Sequence, residues 1–133
     1  MSKLMLIAVG GGIGAVLRYL LTDGIHRLMS VATLPPLPAG TLVVNVLGSV
    51  VLGFLAFTLP AVSPLSPAAR MAILVGGLGA FTTFSTYAYE TVMLLNDGEW
   101  AIATLNFFLN NGLALAAAWG GYRLAERMYG VVA

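Results

Sequence analysis

Ionisable residues fall in short clusters along the chain, and long apolar runs fill the intervals between them. No charged residue and no histidine occurs from Leu4 to Leu17, Leu28 to Ala69, Met71 to Tyr89 or Trp100 to Tyr122. A membrane-spanning helix needs about 20 mostly apolar residues. The 42-residue run from Leu28 to Ala69 is too long for one span. Pro35, Pro36 and Pro38 mark one loop in it, and Pro60, Pro64 and Pro67 mark a second. The pattern therefore predicts four membrane helices at about 4–26, 40–59, 69–95 and 100–127, joined by short connections into a single all-α integral membrane domain over 1–133.

Composition narrows the class further. Hydrophobic residues make up 59% of the 133 and charged residues only 8%, against roughly 25% charged in a soluble domain. A small chain has too much surface per volume to hide that much apolar material from water. The formal net charge of +1 leaves no basic patch for nucleic acid. The chain has no cysteine, which excludes disulfides and thiolate chemistry. Lys3 and the apolar run Leu4 to Val9 resemble the start of a signal peptide, but Gly10 to Gly14, Arg18 and Tyr19 follow without a cleavage pattern, so this segment is predicted to stay as the first span. Lys3, Arg70, Arg123 and Arg127 share one side of the predicted topology and Arg27 lies on the other. That bias favours the first side being cytoplasmic.

Several polar residues interrupt the apolar spans. In span one, Gly10 with Gly14 and Gly11 with Ala15 form small-xxx-small pairs that allow close helix approach. Arg18, Thr22 and His26 follow at four-residue spacing, a polar stripe that either snorkels to the headgroups or lines a vestibule. In span two, Thr41, Asn45 and Ser49 share one face. An asparagine amide at that depth needs partners, as interhelical glue or in a polar path. Span four carries Asn106 and Asn110 on one face with Ala114 and Ala118, and Asn111 beside them.

Span three is the most informative. It reads Gly76-Gly77-Leu78-Gly79-Ala80-Phe81-Thr82-Thr83-Phe84-Ser85-Thr86-Tyr87. Glycine is a poor helix former, and Ser and Thr hydroxyls compete for backbone groups. The spacing predicts a break near Gly79 to Thr83. Unwound backbone at membrane depth is tolerated only where protein buries it or a polar cavity meets it, and its carbonyls can hold a cation. Phe84, Tyr87 and Glu90 follow at three-residue intervals. Aromatic edges are electropositive and can face an anion without carrying charge. An acid such as Glu90 inside a span is a functional candidate by default.

The motifs converge on one family. Gly11-Gly12-Ile13-Gly14-Ala15 with Arg18-Tyr19, then Gly40-Thr41-Leu42-Val43-Val44-Asn45 with Gly48, then Gly79 to Tyr87 with Glu90, occur in that order over most of residues 10–90. Together they resemble the three leading motifs of the Fluc (CrcB) fluoride channel family. The resemblance implies four-span subunits that form antiparallel, dual-topology homodimers with two pores and export fluoride passively across the bacterial inner membrane. It implies a pore lined by Asn45, Phe84, Tyr87, Ser85, Thr86, Thr83 and Asn110, with Arg18 at the vestibule. It also implies a structural sodium ion at the dimer centre, held by the backbone carbonyls of Gly79 and Thr82. Tyr87 stands where Phe is usual, and the fourth-span track is Asn106, Asn110 and Ala114 rather than a run of Ser and Thr.

General physics points the same way. Four helices alone pack around their own side chains, so a second copy is the economical route to a pore. Membrane lipid and fluoride are the expected partners, with no nucleic acid. No ATP-binding motif supports active pumping. A proton-coupled exporter of cations would need a membrane-embedded acid; the apolar run of span one, Leu4 to Leu17, has none, and Glu90 is peripheral. A membrane scaffold would leave the break in span three without a purpose. The single histidine, His26, lacks the partners for an enzymatic nucleophile–base set, so catalysis is not expected.

Overall fold

The computed structural model describes residues 2–31 and 37–130. Pro35 and Pro36, expected to mark the first loop, lie outside the described residues. The order is α1 (Lys3–Val31), α2 (Ala39–Val62), α3 (Pro67–Met71), a π-helical segment (Ala72–Leu78), α4 (Gly79–Phe81), α5 (Phe84–Asn96) and α6 (Trp100–Tyr129). Four helical stretches among the described residues are long and apolar enough to cross a membrane: Lys3–Val31, Ala39–Pro60, Pro67–Asn96 and Trp100–Tyr129.

Helix α1 runs past the expected end of span one. Asp23 pairs with Arg27 one turn on, at 2.9 Å, the i,i+4 arrangement that supports a helix in water. Between α2 and α3, the Arg70 guanidinium donates to the carbonyls of Ser63 and Leu65 and ties the loop to the next helix. Ser66 caps α3 by accepting from the Ala69 N–H, and Pro67 occupies the first turn. A proline there gives up an N–H that would have had no helical partner.

Two close crossings organise the bundle. Helix α2 packs mainly on α6, and α1 packs mainly on the π-helical segment. At the first crossing, a side chain on Gly53 would strike the Ala118 carbonyl, and one on Gly121 would strike the Val50 carbonyl. At the second, Gly10 and Gly14 lie against the carbonyls of Ala72 and Gly77, and Gly76 against that of Ile7. The crossings are backbone on backbone, as small residues permit between membrane helices.

The distribution of polarity is that of a protein solvated by lipid. Leu4, Val9, Leu17, Leu20, Leu115 and Trp119 are exposed, while Thr41, Thr58, Thr83, Asn106 and Asn110 are buried. Buried amides and hydroxyls of this kind must find partners inside the bundle.

Candidate functional site

Two residues with extended backbone separate α4 from α5. Thr82 has φ −81° and ψ 158°, and Thr83 has φ −152° and ψ 113°. Gly79 remains helical, at φ −63° and ψ −34°. The residues before it form the π-helical turns, whose wider ring is uncommon and often sits near functional sites.

Asn45 of α2 holds the interruption together. Its Oδ1 accepts from the Thr83 N–H at 2.8 Å. Its Nδ2 donates to the Thr83 carbonyl at 3.1 Å and to Asn110 Oδ1 at 3.0 Å. One side chain thus supplies the acceptor that the Thr83 N–H lacks within the helix and a further donor to the Thr83 carbonyl, which as the N-cap of α5 already accepts the first helical bond. Those contacts also fix which end of the Asn45 amide is nitrogen. The same direction passes along α6. Asn110 Nδ2 donates to Asn106 Oδ1 at 2.8 Å, and Asn106 Nδ2 donates to Thr91 Oγ1 at 2.9 Å. Thr91 Oγ1 in turn donates to the Tyr87 carbonyl at 2.8 Å. The result is a directed chain of hydrogen bonds linking α2, α5 and α6.

The break releases two carbonyls. In an unbroken helix the Gly79 carbonyl would accept from the Thr83 N–H, and the Thr82 carbonyl from the Thr86 N–H. The first N–H goes to Asn45 instead, and the second goes to Thr83 Oγ1 at 3.2 Å. Among the described residues no other backbone N–H replaces either one.

Cavities flank the interruption on both sides, and Thr83 lines each. The inner one, about 330 Å³, lies between α2, α5 and α6 and includes Asn45, Ser49, Phe84, Tyr87, Asn110 and Asn111. The outer one, about 320 Å³, is walled by Arg18, Thr22, Asp23 and His26 of α1, with Thr41 and Thr86. The Arg18, Thr22 and His26 stripe therefore lines a cavity. Phe84 and Tyr87 meet edge to face, with ring centroids 5.4 Å apart and planes at 69°. Phe84 is 74% exposed and Tyr87 only 5% exposed. Ser85 and Thr86 are exposed beside Phe84. Thr83 Oγ1 donates to Thr86 Oγ1 at 2.9 Å and lies 3.4 Å from Ser85 Oγ.

Three features escaped the sequence reading. Asn106, expected on the fourth-span track, is completely buried and lines neither cavity. Its partner Thr91 lies one helical turn beyond Tyr87, a spacing that could have drawn attention to it. Asn111 donates to the Tyr87 hydroxyl at 2.9 Å. Thr41 donates to Glu90 Oε1 at 2.7 Å across helices, while Glu90 Oε2 is buried without a partner among the described residues.

An apolar exterior, four helices of membrane length and an interior held by amides define a multi-pass integral membrane protein. The family described as CrcB-like protein, Camphor Resistance (CrcB), matches residues 5–122. The chain belongs to that family. It is 44% identical over 124 residues to a protein of Shewanella baltica strain OS185 named fluoride-specific ion channel FluC, covering 93% of this chain and 96% of that one. A Geobacter sulfurreducens protein of the same name is 39% identical over 128 residues, covering 96% of this chain and all of the relative.

Proposed function

We propose that the protein is a fluoride-selective ion channel that exports fluoride passively from the bacterial cytoplasm. In this reading it works as an antiparallel homodimer with two pores. The observation that carries the proposal is the junction at Thr83, where an interrupted membrane helix, an aromatic pair and two cavities meet. The names of the relatives support the choice of anion.

The chemistry suits a small, tightly hydrated anion. Arg18, on the wall of the outer cavity, raises the local concentration of anions there. Thr86 accepts the Thr83 hydroxyl hydrogen, so its own hydrogen remains available to replace water around the ion. Ser85 adds a second hydroxyl. Phe84 and Tyr87 contribute ring edges, which attract an anion weakly and without a buried charge. Asn45 and Asn110 line the inner cavity and hold the interrupted backbone open. A pore needs contacts good enough to strip water yet weak enough to release the ion.

The residues also fit a structural sodium ion. Released carbonyl oxygens of Gly79 and Thr82 are hard neutral ligands, and an antiparallel partner would double the pair to four. Bound there, sodium would place fixed positive charge near the anion path without burying a Lys or Arg.

Fluoride efflux from liposomes containing the purified protein tests the proposal, read with a fluoride electrode and with chloride as the control anion. Fast fluoride release with little chloride release is expected. No release above protein-free liposomes, from folded protein, would overturn it.

A further inference from the structure

The side-chain hydrogen-bond donors lining the inner cavity can be counted one by one. Both N–H bonds of Asn45 are occupied, by the Thr83 carbonyl and Asn110 Oδ1. Those of Asn110 are occupied by the carbonyl and Oδ1 of Asn106. Thr82 donates its hydroxyl to the Leu78 carbonyl, and Thr83 donates to Thr86. Asn111 Nδ2 gives one hydrogen to the Phe107 carbonyl at 2.8 Å and the other to the Tyr87 hydroxyl. The Phe107 carbonyl can only accept, so the atom facing Tyr87 is a nitrogen, and the phenol accepts there. Its own hydrogen is left without an acceptor among the described residues. Ser49 is the other cavity hydroxyl without a partner there, and a helical serine can return its hydrogen to the carbonyl one turn back. The Tyr87 phenol sits at the end of a rigid ring and has no such local acceptor.

We propose that the Tyr87 hydroxyl, oriented by Asn111, is a hydrogen-bond donor to the small anion in the cavity between α2, α5 and α6. This rests on the channel reading above. The amides, the obvious donors by residue type, serve the protein's own backbone and side chains instead. Accepting from Asn111 polarises the phenol and makes it a better donor. Asn111 is a positioning residue in this scheme, because it reaches the anion only through Tyr87.

Fluoride flux across liposomes as a function of fluoride concentration, for wild type, Tyr87→Phe, Asn111→Leu and the double variant, tests the proposal. Tyr87→Phe keeps the ring and its edges. The fluoride concentration for half-maximal flux should rise about tenfold, the scale of one hydrogen bond to an ion. Asn111→Leu should shift it in the same direction, and the double variant should match Tyr87→Phe alone. If Asn111→Leu costs as much in the Tyr87→Phe background as in wild type, its role is structural and the coupling is refuted. A wild type that conducts with Tyr87→Phe unchanged overturns this inference and leaves the channel reading intact. A wild type that does not conduct overturns both. Ultraviolet difference spectra of the wild type supply a readout independent of the variants' folding. Tyr87 is the buried tyrosine, the other four being at least 40% exposed. Fluoride and not chloride should red-shift its absorption, and an unchanged spectrum would count against the proposal.

Discussion

Replacing Asn45 by aspartate barely changes the side chain's size but reverses the polarity of one end. The remaining Oδ1 can still accept from the Thr83 N–H at 2.8 Å. The former Nδ2 becomes an oxygen facing the Thr83 carbonyl and Asn110 Oδ1, which lie 3.1 and 3.0 Å from it. Asn110 Oδ1 loses its donor, which costs about 1–3 kcal/mol, while the Thr83 carbonyl keeps its helical partner in α5 and loses less. Repulsion among the oxygens and burial of a carboxylate add to this. Alanine removes all three hydrogen bonds and leaves the Thr83 N–H and Asn110 Oδ1 without these partners, a scale of roughly 2–6 kcal/mol. It introduces no repulsion, however, and water from the adjoining cavities can reach the exposed groups, which moves its cost to the low end. Asn45→Asp should therefore be the more destabilising of the two, despite being the closer in shape. Thermal unfolding in detergent micelles, followed by circular dichroism, measures the order. Amide exchange at Thr83 supplies the internal control: protection should fall in Asn45→Ala and persist better in Asn45→Asp. Acid should narrow the gap, because a protonated aspartate regains one donor. Equal or greater stability of Asn45→Asp at neutral pH would refute the account of Asn45 as a two-way clamp.

Other consequences are more direct. Phe84→Ile keeps bulk but removes the exposed ring edge, so fluoride flux should drop by an order of magnitude or more, and full conduction would assign the ring to packing alone. Gly121→Val places a side chain against the Val50 carbonyl at the α2–α6 crossing. Overpacking of that kind typically costs about 1–3 kcal/mol and here presses on backbone, so the melting temperature should fall; an unchanged melt would mean the crossing is looser than described. Sodium should slow dissociation of the proposed homodimer in detergent more than potassium does, and identical rates would remove support for carbonyl coordination at Gly79 and Thr82.

The class of this protein was legible in the chain alone. Four spans follow from where ionisable residues stop, because hydrocarbon penalises a charge whatever the helix packs against. The motifs around Asn45 and from Gly79 to Tyr87 carry the family resemblance, and the match over residues 5–122 agrees with it. The Arg18, Thr22 and His26 stripe was readable as well, since four-residue spacing places those side chains on one face by helical geometry. Span ends were less legible. Helix α1 continues to Val31, past an Asp23–Arg27 surface pair at the expected end, because charged helical turns in water leave no mark in hydropathy.

Partner choice among the polar residues was decided only by the tertiary structure. Spacing puts Asn106 and Asn110 on one face, yet Asn110 lines the inner cavity while Asn106 is sealed against Thr91. Nothing in the sequence assigns the Asn45 amide to the Thr83 backbone, or Asn111 to the Tyr87 hydroxyl. The physical reason is that hydropathy is a sum over single residues, whereas a hydrogen bond between helices depends on the rotation and depth of both. Helical periodicity leaves rotation and depth open, and the backbone crossings at Gly53, Gly121, Gly10 and Gly14 set them.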